Sequence, residues 1–242
     1  MPISQTPAIV MTTTGELFLP SRVIYRVRER EHLLQRFRRL PDMQWDPRRG
    51  RWTWNYGPQA QALGFPAAYQ ALPPEQQPLV LASCYLTDAH TLQVYVRCAS
   101  RLIKLLVFFD QEIPRRYARA RFLDQYNAVT TTGPGEAGPP PEDFFRNEAE
   151  IEFPDLESRL TNTQTEAQRQ ELLAWMSEQT HRPMPLRARH RLEVFYEEGA
   201  PALERRMQLR QYLVLRQYKE GKPICPYEVI QELMQADHPA PS

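Results

Sequence analysis

Glycine and lysine are scarce in this chain of 242 residues. It contains 9 glycines and 3 lysines, so 27 of its 30 basic residues are arginine. Loops that cradle phosphates depend on closely spaced glycines, and neither GxGxxG nor the GxxxxGK motif followed by Ser or Thr occurs. These absences argue against a classical mononucleotide or dinucleotide site.

Cysteines and long apolar runs are also few. The 3 cysteines (Cys84, Cys98, Cys225) are widely spaced and odd in number, which favours reduced thiols over a disulfide framework. The longest apolar runs, Leu79–Ala82 and Leu105–Phe109, are shorter than the roughly 20 residues that cross a bilayer. The N-terminal residues lack the basic and apolar regions of a signal peptide. We therefore expect a cytoplasmic protein with no membrane partner.

No motif for metal binding or catalysis occurs in the sequence. The sequence has no CxxC, HExxH or GxSxG, and no two of its histidines are spaced three or four residues apart. We therefore expect no cofactor, no local metal site and a non-catalytic protein, although an enzyme site built from distant residues stays open. The histidines are His32, His90, His181, His190 and His238.

Charge is strongly segregated along the chain, although the net charge is only +1. Residues 22–51 have a balance of +6, and residues 97–121 have +5. Residues 136–171 carry −7, and residues 182–222 return to +5. Such alternation is typical either of complementary packed faces or of separate binding surfaces.

The hydrophobic pattern predicts an α+β fold with a mixed N-terminal module of antiparallel hairpins and flanking helices. Helical spacing of apolar residues predicts helices over 29–40 and 114–129, and residues 100–109 form a strongly apolar run. Alternating or β-branched segments predict a strand at 23–27 and hairpins at 8–20, 43–56 and 79–97.

Composition predicts how these elements divide into domains. A mixed module spans 1–129, a linker rich in Pro and Gly spans 130–143, and a mainly helical region spans 144–236. Within the last region, we expect helices at 166–178, 201–219 and 226–234, and one strand at 186–196. Residues 237–242 are expected to form a disordered tail.

A first basic patch combines arginine with tryptophan between Arg22 and Tyr56. Arginine contacts phosphates, and exposed aromatic rings stack on unpaired bases, so this patch is a candidate nucleic-acid-binding surface. The alternative is that the tryptophans form a core and the arginines its solvated rim. The candidate residues are Arg36, Arg38, Arg39, Arg48, Arg49, Arg51, Trp52 and Trp54, beside Trp45.

A second basic patch comprises residues 97–101 and 114–121. Arg115, Arg116 and Arg119 recur at helical spacing in the predicted helix and form a candidate stripe for nucleic acid. The alternative is a solvated helix face above Phe122 and Leu123.

Two stretches resemble known families. Residues 32–54, HLLQRFRRLPDMQWDPRRGRWTW, resemble the helix-plus-hairpin element of HARP-type modules of DNA-processing proteins, with Trp45, Asp46 and Trp52 matching its Trp-Asp-x5-Trp pattern. Residues 52–129 are similar to a conserved cyanobacterial family in which an aromatic hairpin precedes a basic helix ending in Asn. The second resemblance implies a single N-terminal module and no particular activity.

These patterns support two functional hypotheses. In the first, the N-terminal module binds DNA or RNA through its Arg/Trp-rich surfaces. In the second, the chain is a protein-interaction or assembly factor that docks a protein partner or a second copy of itself. Docking would use the acidic segment at 142–157 and the Arg-rich helix at 201–219, with Leu203, Met207, Arg210, Leu213 or Val214, and Gln217 tracing a free face. Either way, the acidic segment could mask the basic patches.

Overall fold

A seven-stranded antiparallel sheet organises the fold. The computed structural model describes residues 8–57, 63–133, 136, 138–152, 165–168, 170–171, 174, 182–226 and 228–229. The strands of this sheet lie in the order β3-β4-β5-β6-β2-β7-β9. Their bounds are β2 Ser21–Val27, β3 Met43–Asp46, β4 Arg51–Tyr56, β5 Leu79–Leu86, β6 Thr91–Val96, β7 Ala118–Tyr126 and β9 Arg187–Arg191. A separate pair joins β1 Ala8–Ile9 to β8 Thr131–Thr132.

The predicted hairpins are confirmed. In the β3–β4 turn, the Asp46 carboxylate accepts the backbone N–H groups of Arg48 and Arg49, and Gly50 takes the positive φ that a side chain disfavours. The β5–β6 hairpin pairs Cys84 with Val94 in register. At the N-terminus, Met11 bridges Leu17 around the predicted turn. Local turn chemistry and alternation were therefore sufficient to specify these pairs.

Two helices cover one face of the sheet and form the main core with it. Helix α1, Arg30–Arg39, places Leu33 and Phe37 against the strands, as the helical spacing predicts. Helix α2, Ala99–Glu112, buries Leu102, Leu105, Leu106 and Phe109. The rings of Phe37 and Phe109 lie 5.8 Å apart, so both helices share a single aromatic core with the sheet.

The C-terminal part of the chain adds to the same sheet and core. Strand β9 pairs with β7, short helix α3 spans Glu193–Glu198, and helix α4 spans Ala200–Glu220. Leu203 and Met207 of α4 belong to the main core. The predicted helix at 201–219 is present, and the class is α+β. The strand predicted at 186–196 is correct only for Arg187–Arg191, since Glu193–Glu198 form helix α3. The sheet therefore takes strands from both sides of the predicted linker at 130–143.

The predicted helix at 114–129 is wrong, because this segment forms strand β7. Ala118 and Ala120 point into the core while Arg119 points outward, which is strand alternation. The pairing of β7 with β2 shifts register between Ile24 and Tyr25. The shift changes which residues of β7 point into the core, so that Leu123 is the next buried residue. Because of this shift, the buried residues of β7 do not keep the two-residue period of a regular strand, and their spacing in the sequence resembles that of a helix.

The second face of the sheet is partly covered by the start of the acidic segment. A 3-10 helix at Pro141–Phe145 seats Phe145 beside Tyr95 of β6, with ring centroids 6.3 Å apart. A further 3-10 turn follows at Glu148–Glu150. Glu152 then bridges Ala188 at the outer edge of β9.

Some expectations fall outside the described residues. These are most of the predicted helix at 166–178, most of the helix at 226–234, and the tail at 237–242. Within the residues that are described, no helix has the length and apolar character needed to span a bilayer. Cys84, Cys98 and Cys225 are all buried.

The contact between β9 and α4 makes one pH-dependent contribution to stability. Burial, and then the charge of Arg210, lowers the pKa of His190 to about 4. The folded chain therefore keeps His190 neutral between about pH 4 and 6.5, whereas the unfolded chain protonates it there. This contribution is fully present above pH 6.5 and is lost as the pH falls towards 4.

We predict that His190→Gln flattens the pH dependence of the free energy of unfolding. Measured by urea denaturation between pH 6.5 and 4, the wild-type chain should lose on the order of 2 kcal/mol more than the variant. His90→Gln is the matched control because His90 is exposed in the β5–β6 turn. Equal slopes for wild type and His190→Gln would contradict the prediction.

Candidate nucleic-acid interface

The predicted tryptophan platform does not exist. Trp52 and Trp54 are buried, the first against Phe37 at 5.6 Å and the second stacked on Phe108 at 5.2 Å. Strand β4 lies inside the sheet beside β5, so both rings face the helices and cannot reach a base. Trp45, on edge strand β3, is 51% exposed. The alternative interpretation, a tryptophan core, is therefore correct for Trp52 and Trp54.

The arginines of the β3–β4 hairpin separate into two kinds. Arg48 and Arg49 are exposed at the turn, as predicted. Arg51 is buried, and its guanidinium donates to the Ser83 hydroxyl and to Glu142 at 3.2 Å. Arg51 therefore stabilises the junction between the sheet and the acidic segment, and its placement at a nucleic-acid surface is wrong.

The arginines of the second predicted patch lie in a turn and a strand instead of a helix. Arg115 and Arg116 lie in the turn before β7, and Arg119 lies on the strand, so the three do not form a helical stripe. Arg115 makes two 2.7 Å hydrogen bonds to Asp110. The guanidinium groups of Arg115 and Arg119 lie 4.7 and 4.4 Å from the centroid of the same ring, that of Tyr196. All three arginines are exposed.

A groove brings members of both predicted patches together. It has a volume of about 440 Å³ and lies between α1 and the turn before β7. Arg36, Arg39 and His32 form one wall and Tyr117 the other, and we call it the Tyr117 groove. The imidazole of His32 stacks on the Tyr117 ring at 5.1 Å, and the Arg116 guanidinium lies 5.0 Å from the centroid of that ring. Arg38 lies on α1 and is exposed, but it does not line the groove.

Acidic groups neutralise only part of this groove. Arg36 pairs with Glu112, and Glu29 lies 3.0 Å from His32. Within the described part of the chain, Arg39 and Arg116 have no ion pair with a carboxylate. The groove therefore combines the half-buried Tyr117 ring with positive charge that carboxylates compensate only in part.

Three exposed arginines lie where the end of β2 meets the start of β7, next to Tyr117. Arg26 of β2 and Arg119 of β7 are directly opposite each other in the antiparallel register. Opposed residues project from the same face, and like charges in this arrangement destabilise a sheet. Arg28 follows at the end of β2, where its N–H donates to the Tyr117 carbonyl at 2.8 Å. None of these three arginines forms an ion pair among the described residues.

A buried ionic cluster lies at the other end of the same strands. The Asp124 carboxylate of β7 has no exposed surface and accepts hydrogen bonds from Arg22 Nε at 2.8 Å and Arg189 Nε at 2.7 Å. Glu148 adds a second carboxylate, 2.6 Å from Arg22 and 2.8 Å from Arg189. This cluster joins β2, β7, β9 and the acidic segment, and its arginines are satisfied internally.

Four described carboxylates of the acidic segment therefore pair with basic residues of the same chain. Besides the pairs of Glu142 and Glu148, Glu150 pairs with Arg187 and Glu152 with Arg182. The basic groups masked by the acidic segment are Arg22, Arg51 and arginines near β9. The Tyr117 groove receives none of these carboxylates.

Sequence reasoning missed several residues of this surface. Arg26, Arg28 and Tyr117 were not singled out, because the helix predicted at 114–129 placed Tyr117 on an apolar face. The alternation of Arg26 with buried Tyr25 and Val27 was visible, and it marks an outward position on a strand. The opposition of Arg26 to Arg119 could not be read from sequence, because 93 positions separate them.

Among the described residues, no group of three or more His, Cys, Asp or Glu side chains could hold a metal ion. Comparison of the chain with protein-family models, with curated proteins and with solved structures finds no match. The geometry of the chain is therefore the basis for a functional proposal.

We predict that Asp124→Asn destabilises the chain by about 3 kcal/mol, because it leaves Arg22 and Arg189 without their shared buried counter-charge. Asp110→Asn is the matched control, since it removes a carboxylate from the exposed pair with Arg115 and should cost less than about 1 kcal/mol. Urea denaturation at pH 7 measures both values. Similar losses for the two variants would contradict a central role for Asp124.

Proposed function

We propose that this chain is a non-catalytic nucleic-acid-binding protein whose binding surface is the Tyr117 groove with its arginine rim. The observation that carries the proposal is that Arg39 lines the groove and Arg116 lies 5.0 Å from the centroid of the Tyr117 ring, both exposed and without ion pairs among the described residues. Arg28, whose backbone N–H donates to the Tyr117 carbonyl, and the opposed pair of Arg26 and Arg119 are likewise exposed and without ion pairs in the described part of the chain. Phosphate groups are the ligands that such guanidinium groups bind best.

The cross-strand pair of Arg26 and Arg119 favours a polyanion as the ligand over a single small anion. Placing two like charges opposite each other costs stability in the free protein. A ligand with phosphates spaced along a backbone would neutralise both, and would reach Arg116 at the turn. Binding of this kind releases counterions and therefore weakens steeply as salt increases.

The rings in the groove favour single-stranded nucleic acid. Tyr117 is half-buried and already stacks on His32, and Arg116 lies near the same ring. An unpaired base can add to such a stack, whereas the bases of a duplex are covered by their neighbours. The groove volume of about 440 Å³ has room for a base.

We predict that the double variant Arg39→Ala/Arg116→Ala binds single-stranded DNA or RNA at least tenfold more weakly than wild type. The slope of log affinity against log salt should also fall by about 1.4, because each lost contact to a single strand removes about 0.7. Fluorescence anisotropy with labelled oligonucleotides over a series of salt concentrations measures both quantities.

The matched control is Arg48→Ala/Arg49→Ala, which removes the same charge from the exposed β3–β4 turn. Its affinity should change less than threefold. Equal losses for the two double variants would indicate non-specific attraction by net charge. The absence of salt-sensitive binding by the wild-type chain would overturn the proposal.

A second candidate function is docking of another protein on α4. The face predicted to be free is buried by the chain itself, since Leu203, Met207, Leu213 and Val214 are all less than 5% exposed. Elsewhere on its surface, α4 exposes Tyr212, Leu215 and Tyr218 at spacings of three residues. An apolar stripe on a helix is a feature of protein-interaction surfaces, so this observation favours self-association or a protein partner.

We predict that, if α4 mediates self-association, Tyr212→Ser/Leu215→Ser shifts the chain from dimer to monomer. Sedimentation velocity at several protein concentrations measures this, with Arg48→Ala/Arg49→Ala as a surface control. Because these residues are exposed, the variant should keep the wild-type melting temperature at low concentration. A wild-type chain that sediments as a monomer throughout would count against self-association.

A further inference from the structure

A second basic cavity lies on the face of the sheet away from α1. It is a cleft of about 680 Å³ between β5, the N-terminal segment beginning at β1, and the loop that leads into Pro141. Arg49, Arg51, Arg97 and Arg101 line it, against Glu75, Glu136 and Glu142. We call it the Arg97 cleft. It shares no lining residue with the Tyr117 groove, and its volume is typical of small-molecule sites.

Arg97 has an unusual position for a cation. It follows β6 directly and is half-buried, and its guanidinium lies 5.9 Å from the centroid of the Phe18 ring. No side-chain hydrogen bond or ion pair satisfies it among the described residues. Burial, and then the neighbouring charge of Arg101, lowers the pKa of Arg97. The charge of Glu142 opposes this shift in pKa without forming an ion pair with Arg97.

Arg101 is completely buried and only partly satisfied. One terminal nitrogen donates to the Thr14 hydroxyl at 2.8 Å and the other to the Val80 carbonyl at 3.3 Å. Its nearest carboxylate, Glu16, is 4.0 Å away and also accepts from Ser100. The Nε of Arg101 has no hydrogen-bond partner. A buried N–H without an acceptor is costly, and such groups are commonly completed by a ligand or by water.

Glu75, Glu136 and Glu142 also line the cleft, but none of them forms an ion pair with Arg97. Arg51 is already paired with Asp46 and Glu142. Arg101 lies in the first turn of α2, which has no side-chain cap, so the partial positive charge of the helix start lies near the cleft. Glu136 accepts the N–H of Gly133 within its own loop. Apolar residues such as Ile9 and Leu79 complete the wall.

We infer that the Arg97 cleft binds a small organic phosphate, with Arg97 and Arg101 holding the phosphate group and the apolar wall contacting the remainder of the ligand. A phosphate presents three acceptor oxygens, which suits donors that converge from two guanidinium groups better than the two oxygens of a carboxylate do. This inference does not depend on the proposed nucleic-acid surface.

The test measures thermal unfolding of the full chain with inorganic phosphate, adenosine monophosphate, adenosine or succinate. Adenosine monophosphate, and phosphate to a smaller extent, should raise the melting temperature by a few degrees at saturating concentration, whereas adenosine and succinate should not. Arg97→Met should abolish the shift. Arg48→Met, which removes an exposed arginine outside the cleft, should keep it.

The free proteins provide a second readout. Because Arg97 has no counter-ion and lies near Arg101, Arg97→Met should melt at the wild-type temperature or above it without ligand, and should keep wild-type affinity for oligonucleotides. Loss of folding in Arg97→Met would make Arg97 a structural residue and overturn the inference. A wild-type chain that is unaffected by the phosphates, or stabilised equally by succinate, would also overturn it.

Discussion

The carboxylate of Asp124 is the point on which the arrangement of this chain depends. It is fully buried in β7, and it binds Arg22 from β2 and Arg189 from β9. These strands come from distant parts of the sequence, so the carboxylate fixes the register of three neighbouring strands at once. The same arginines hold Glu148, which brings the acidic segment down on the second face of the sheet. Breaking a buried pair of this kind is costly, because it leaves a charge without water or a counter-ion.

Arginine has three different roles in this chain, and the environment of each residue decides which applies. Arg22, Arg51 and Arg210 are buried and satisfied by the chain itself; Arg210 donates to Asn127 and Ser21 between α4 and the sheet. Arg26, Arg39 and Arg119 are exposed without carboxylates, which suits them to a polyanion. Arg97 is half-buried and Arg101 is fully buried, and neither is completely paired. Composition alone shows only that arginine is abundant.

The sequence was most informative where the signal was local. The turn at Asp46–Gly50, the helix that buries Leu33 and Phe37, and the hairpin pairing Cys84 with Val94 all follow from alternation, spacing and turn residues. The prediction from sequence was wrong for β7, because the register shift gives the buried residues of this strand a spacing that resembles that of a helix. It was also wrong for Trp52 and Trp54, because their burial depends on a distant partner strand and on α2. The Tyr117 groove was only half predictable. Its arginines were recognised, but their meeting across α1 and β7 is a long-range contact that no local pattern encodes.

Strand β9 ends the sheet on one side, and its sequence, Arg-Ala-Arg-His-Arg, has a consequence for behaviour in solution. An edge strand offers free backbone groups to any other strand, and this is how folded proteins begin to polymerise. Its first two arginines bind Glu150 and Glu148 of the acidic segment, which places Glu152 beside this edge. The N–H of Glu152 donates to the Arg187 carbonyl, and its carbonyl accepts the N–H of Arg189. A second copy would have to displace these backbone hydrogen bonds before it could pair with β9, which disfavours sheet-to-sheet aggregation in a concentrated solution.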